Sequence, residues 1–156
     1  MARKKMYAVV HCWGGPDMGK VCEYGCVGCG ACERACRKGA ISFNEFGVAH
    51  VDRSKCVGCG LCAKACPQEI ISLEPAGATI QPLCASRLAG KQAKEFCSSA
   101  CIACGACERA CTSDGIHVVD NRPVINSDNC IACGMCATKC PMGVIHDAHG
   151  LVSKAF

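Results

Sequence analysis

Aromatic residues are scarce in this 156-residue chain: Trp13, Tyr7, Tyr24, Phe43, Phe46, Phe96 and Phe156 are the whole set. A core built on large rings is therefore excluded. No stretch approaches the 18 or more apolar residues of a membrane helix. Met1-Ala-Arg-Lys-Lys-Met6 leads into a strand-like run, not into the apolar centre of an export signal. There is no GxGxxG or P-loop, and no nucleophile with a paired base. These absences predict a cytoplasmic chain that does not insert into a membrane and is not itself an enzyme.

Cysteine is abundant instead, with 20 residues. Set aside, they bring the 51% apolar content down to roughly 38%. That is thin for an ordinary core, so whatever binds the sulfurs must also serve as the inside of the protein. Without export the thiols meet a reducing compartment, where cysteines in bulk are metal ligands before they are disulfides. The formal charge of +4 counts each Cys as a neutral thiol, so it does not argue for a nucleic-acid partner.

The spacing C-x2-C-x2-C-x3-C occurs four times: Cys26, Cys29, Cys32, Cys36; Cys56, Cys59, Cys62, Cys66; Cys101, Cys104, Cys107, Cys111; Cys130, Cys133, Cys136, Cys140. CVGCGACERAC and CIACGACERAC differ at two of eleven positions, so the chain is a duplication of a duplication. A short helix is expected after the third Cys of each run, stopped by Pro67 and Pro141 in runs two and four. Arg37 and Thr112 replace proline in the other two, which bears on where those helices end. Residues 40–52 and 115–126 read as hairpins, and 70–73 and 144–146 as closing strands. Residues 85–96 form the best helix candidate outside the runs, with Gly90 weakening it. The expected fold is α+β, two tandem small modules at 1–76 and 77–156 with their metal chemistry in the loops. His11, His50, His117, His146 and His149 show no ligand spacing and read as ordinary surface or strand residues.

Three cysteines at i, i+3 and i+6 suit three corners of an iron-sulfur cubane, with Gly28, Gly30, Gly58, Gly60, Gly105 and Gly134 giving the backbone room to approach. In bacterial two-cluster ferredoxins the fourth Cys of such a run ligates the other cluster. The expected ligand sets for [4Fe-4S] clusters are therefore Cys26, Cys29, Cys32 with Cys66; Cys56, Cys59, Cys62 with Cys36; Cys101, Cys104, Cys107 with Cys140; and Cys130, Cys133, Cys136 with Cys111. Structural zinc favours two C-x2-C knuckles across a longer spacer, so a zinc-stabilised interaction module is the alternative from another class.

Cys12, Cys22, Cys84 and Cys97 remain. Cys22 and Cys97 each precede a run by four positions, and Cys12 and Cys84 each end a strand-like stretch, so the duplication includes them. Two extra thiols per half are too few for a cluster. One shared four-cysteine site, a fifth [4Fe-4S] cluster, is the economical reading; a zinc site, free thiols and disulfides are the alternatives. Counted as thiolates around five oxidised cores of about +2 each, the net charge becomes about −6.

The order strand-His-Cys, CEYGCVGCGAC, two runs, PLCASRLAGKQAKEFC, CIACGAC and two more runs resembles the C-terminal polyferredoxin region of the Rnf complex B subunit. The resemblance implies a ferredoxin-like fold and electron transfer between redox partners. The family's N-terminal membrane anchor and separate four-cysteine domain have no counterpart in this sequence. The expectation is an electron-transfer subunit of a soluble oxidoreductase whose catalytic subunit holds a flavin or a tungsten or molybdenum cofactor, with soluble ferredoxin as a further partner. A fragment of a membrane Rnf-type subunit is the alternative.

Overall fold

The computed structural model describes residues 5–13, 24–97 and 99–150. In the first half, β1 (Met6–Val10), α1 (Ala31–Ala35), β2 (Ile41–Phe43), β3 (Ala49–Val51), α2 (Leu61–Ala65) and β4 (Ile71–Pro75) follow in order. In the second half come β5 (Ile80–Pro82), α3 (Gly90–Phe96), α4 (Ala106–Ala110), β6 (Ile116–Val119), β7 (Arg122–Ile125), α5 (Met135–Lys139) and β8 (Ile145–Asp147). The fold is α+β. The outer strands pair antiparallel in each half, β1 with β4 and β5 with β8, and the inner strands form the hairpins β2–β3 and β6–β7.

The two halves repeat the same strand pairing. Val10 faces Ile71 in the first half as Pro82 faces Ile145 in the second. The His11 N–H donates to the Ile70 carbonyl and the Leu83 N–H to the Val144 carbonyl, both at 2.8 Å. Pro82 and Pro123 are tolerated because every sheet has two strands, leaving each strand an edge that needs no N–H. Ala8, Val10, Ile41, Val51, Ile70 and Ile71 pack with Cys32 and Cys62; Ile80, Ile116, Ala137 and Ile145 pack with Cys107 and Cys136. The cysteines are thus part of each small core, as the thin apolar content requires.

Three local expectations are corrected. The run helices begin one residue before the third Cys, not after it, because the glycine preceding each helix takes the left-handed conformation and starts the turn. All four helices are five residues long and end on the fourth Cys in extended conformation, so proline there does not set the helix end. The candidate helix at 85–96 is helical only from Gly90 to Phe96. Upstream, Ala85 and Ser86 are buried, the Ser86 hydroxyl accepts the Leu88 N–H at 3.2 Å, and the Arg87 carbonyl accepts the Asn121 amide at 3.0 Å. Those groups are engaged outside a helical ladder.

The halves meet along a seam. His11 Nδ1 reaches the Pro82 carbonyl at 2.7 Å, the Ser127 hydroxyl donates to Glu74 at 3.2 Å, and Trp13 stacks on His146 with ring centroids 4.7 Å apart. His11 is therefore a seam residue, and His146, in β8, is a buried strand residue at 3% exposure. His50 lies in β3, His117 in β6, and His149 is exposed.

Candidate metal centres

Each cysteine run folds the same way. Two residues after the first Cys the chain turns left-handed, at Gly28, Gly58, Ala103 and Ala132, and again at Gly30, Gly60, Gly105 and Gly134. These turns leave the second Cys (Cys29, Cys59, Cys104, Cys133) exposed and carry the third (Cys32, Cys62, Cys107, Cys136) inward on the first turn of a helix. At Gly58 a Cβ would stand 2.5 Å from the Met6 carbonyl oxygen, so glycine there admits β1 against the loop. In runs one and three the Arg34 and Arg109 guanidinium groups close the loop by donating to the carbonyls of Cys29 and Cys104 at 3.2 and 3.1 Å.

The fourth Cys of each run stands with the triplet of the neighbouring run. Cys26, Cys29, Cys32 and Cys66 line one cavity, walled by Val10, Phe43, Ile70 and Ile71. Cys36, Cys56, Cys59 and Cys62 line a second, walled by Ala8, Ile41 and Val51. In the second half Cys107 and Cys140 act electrostatically on Cys101, and Cys130 and Cys111 on Cys136. Cys107 also acts on Cys136, so the two groups of that half adjoin.

The donor set suits an iron-sulfur core. Backbone N–H groups of Ala8, Ala40, Ala103 and Gly115 donate to the sulfurs of Cys56, Cys36, Cys101 and Cys111 at 3.2–3.4 Å, an arrangement that favours anionic sulfur. Burial and neighbouring cysteines oppose ionisation, pushing Cys101 and Cys136 up to about 11 and raising Cys32, Cys62 and Cys107. A cationic core between the sulfurs is what reverses that opposition. Cys111 is lowered instead, chiefly by its contact with the Ser113 hydroxyl. Among the described residues no three His, Cys, Asp or Glu side chains converge as the ligands of a single ion would.

Of the four remaining cysteines, Cys22 lies outside the described residues. The Cys84 sulfur accepts the Cys101 N–H at 3.3 Å, tying it to the third run. Cys97 caps α3, and its carbonyl accepts the Ala100 N–H at 3.1 Å, one residue before Cys101. Cys12 packs against the first core and shares a cavity wall with Leu83, the neighbour of Cys84.

Comparison with known proteins gives these features a family. The 4Fe-4S dicluster domain matches twice, at residues 25–77 and 100–144, spans that contain all sixteen run cysteines and none of the other four. The chain belongs to the 4Fe-4S dicluster family. It carries multiple [4Fe-4S] clusters, and its ferredoxin region is of the Rnf B type. The B subunit of the proton-translocating ferredoxin:NAD(+) oxidoreductase complex of Clostridium ljungdahlii is 44% identical over 113 residues, 72% of this chain and 39% of that protein. The corresponding B subunit of the ion-translocating oxidoreductase complex of Methanosarcina acetivorans is 49% identical over 41 residues, 26% of this chain and 15% of that one. The chain thus spans well under half the length of these relatives. A chain of the formate dehydrogenase–heterodisulfide reductase–formylmethanofuran dehydrogenase complex of Methanospirillum hungatei is 21% identical, with a TM-score of 0.31 over 78% of this chain and 51% of that one. No helix among the described residues is long and apolar enough to cross a membrane.

Proposed function

We propose that this chain is the electron-relay subunit of a multisubunit oxidoreductase and not its catalyst. The observation that carries the reading is the pair of cavities in which each run's fourth Cys joins the other run's triplet. The sixteen run cysteines would hold four [4Fe-4S] groups in the crossed sets given above, in modules 1–76 and 77–156. Cys12, Cys22, Cys84 and Cys97 would hold a fifth at the seam. Bound clusters supply one-electron redox chemistry. The chain's own residues set its terms: Val10, Phe43, Ile41 and Val51 keep water from the cavity walls, and the backbone N–H groups steady charge on the sulfurs. Crossing the ligands ties α1 to α2 and α4 to α5, which keeps neighbouring groups close enough for electrons to pass.

The partner of this reading is a cytoplasmic catalytic subunit carrying a flavin or a tungsten or molybdenum cofactor, with soluble ferredoxin as the carrier. The 44% identity to a component of a proton-translocating complex favours a second reading, in which the chain corresponds to the ferredoxin region of a longer Rnf-type subunit. Iron, acid-labile sulfide and zinc per anaerobically purified chain test the shared part of both. About 20 iron and 20 sulfide are expected. About 16 of each overturns the fifth site, and zinc in place of iron overturns the relay itself.

A further inference from the structure

The two halves repeat so closely that their differences are informative. Around the loop of run two, Val57 and Leu61 stand exposed at 56% and 36% on either side of exposed Cys59. Run four repeats this with Ile131 at 66% and Met135 at 44% beside Cys133. Both loops thus present an apolar collar around an exposed ligand sulfur. Their charged rims differ. Arg37, Lys38, Lys55 and Lys64 are all exposed around run two, and Lys38 also lines its cavity. The corresponding positions in the second half are Thr112, Ser113, Asn129 and Thr138. The acid beside the run-two rim is Asp52, 4.0 Å from Lys55. Among the described residues, Asp114, Asp128 and Lys139 are exposed close in sequence to run four. Four cations are lost together on one copy of a duplicated surface and kept together on the other.

We propose that the face around Val57, Cys59 and Leu61 is the docking surface for an acidic electron-carrier protein. The inference rests on the relay reading. Carboxylates on the carrier meet Arg37, Lys38, Lys55 and Lys64, while Val57 and Leu61 supply the water-excluding contact at the exposed sulfur. One electron leaves the reduced carrier and one is gained by the group held at Cys36, Cys56, Cys59 and Cys62; no atom changes hands. The loaded chain is acidic overall, so a local basic rim also orients an acidic carrier during encounter. The run-four collar, without these cations, does not select for negative charge.

The test is stopped-flow reduction of the anaerobically purified full chain by a reduced, acidic two-cluster bacterial ferredoxin, at salt from low to about 0.5 M. The variants are Arg37→Gln/Lys55→Gln/Lys64→Gln on this face and Lys91→Gln/Lys94→Gln on exposed α3, each checked for iron per chain. Photoreduced deazaflavin, an uncharged reductant, serves in parallel. The wild-type rate with ferredoxin should fall roughly tenfold or more with salt. The triple variant, with full iron, should lose roughly tenfold at low salt and most of the salt dependence, yet match wild type with deazaflavin. A triple variant with unchanged rate and salt dependence, or loss of the salt dependence in the α3 variant instead, overturns the docking surface and leaves the relay standing. A chain that takes no electron from either reductant overturns the relay and this surface with it.

Discussion

His11 Nδ1 lies 2.7 Å from the carbonyl oxygen of Pro82, so the end of β1 in one half is tied to β5 in the other. A carbonyl only accepts, so Nδ1 carries the proton. Burial pushes His11 below its usual value of 6.5, and Nε2 lies 2.7 Å from the Ser72 hydroxyl, which donates to Glu74 at 2.9 Å. The folded chain then binds fewer protons than the unfolded one below pH 6.5. Stability from His11 is complete above that pH and is lost as pH falls through the window beneath it. His11→Ala should cost roughly 1–3 kcal/mol near pH 7, by leaving the Pro82 carbonyl without its partner. The variant should also lack this part of the acid-side decline, read as thermal midpoints between about pH 7.5 and 5.5. Parallel pH profiles for the two proteins would remove His11 from the seam's energetics.

The crossing of ligands is open to a direct test by pairs of substitutions. Cys26 and Cys66 line one cavity, whereas Cys36 lines the other. Cys26→Ser/Cys66→Ser should therefore empty one site and remove about four iron, leaving the rest intact. Cys26→Ser/Cys36→Ser should instead reduce two sites to three ligands each, seen as three-iron EPR signals or the loss of about eight iron. The reverse pattern would mean that each run keeps its own fourth Cys.

What could be read from residues alone follows the range of the interactions. The runs, their short helices and both hairpins were legible because their cysteine spacing and turn residues are local. The same rules erred where a local signal met a distant one. Residues 85–89 look helical, but Ala85 and Ser86 are buried and the Arg87 carbonyl bonds Asn121 from another hairpin. Pro67 and Pro141 looked like helix stops, yet helices followed by Arg37 or Thr112 end at the same Cys. His11 and His146 could not be placed because their partners, Pro82 and Trp13, are distant in the chain. The lone hint was that His11 sits beside Cys12, one of the four cysteines the runs left over.

Ala103 and Ala132 adopt φ of 55° and 56° at positions where the first half has Gly28 and Gly58. A side chain there costs roughly 1 kcal/mol that glycine avoids. Ala103→Gly and Ala132→Gly should each raise stability by up to about 1 kcal/mol, measured as thermal midpoint with iron content unchanged. Gly58→Ala should go the other way and more strongly, since its Cβ would meet the Met6 carbonyl oxygen at 2.5 Å and push β1 off the loop. If all three substitutions were neutral, backbone strain in these loops would be irrelevant to stability.

His117 on β6 bridges Glu108 on α4 at 3.1 Å and Asp114 at 3.2 Å, joining the helix of run three to its hairpin. The hydrogen bond to Glu108 raises His117, and the reciprocal contact lowers Glu108. The signs define a window. A raised histidine contributes below 6.5 and loses its contribution as pH rises through its folded value; a lowered carboxylate contributes above 4.5 and loses it as pH falls. The contact is therefore strongest between those two values. Glu108→Gln should bring His117 back toward 6.5, stopping short of it because Asp114 remains, in a carbon-detected NMR titration of the ring. Asp114→Asn should shift it less, since the Glu108 contact is the larger cause. An unshifted His117 in Glu108→Gln would show that exposure screens the pair, leaving Ile116 packing and the Val118 N–H to join hairpin and helix.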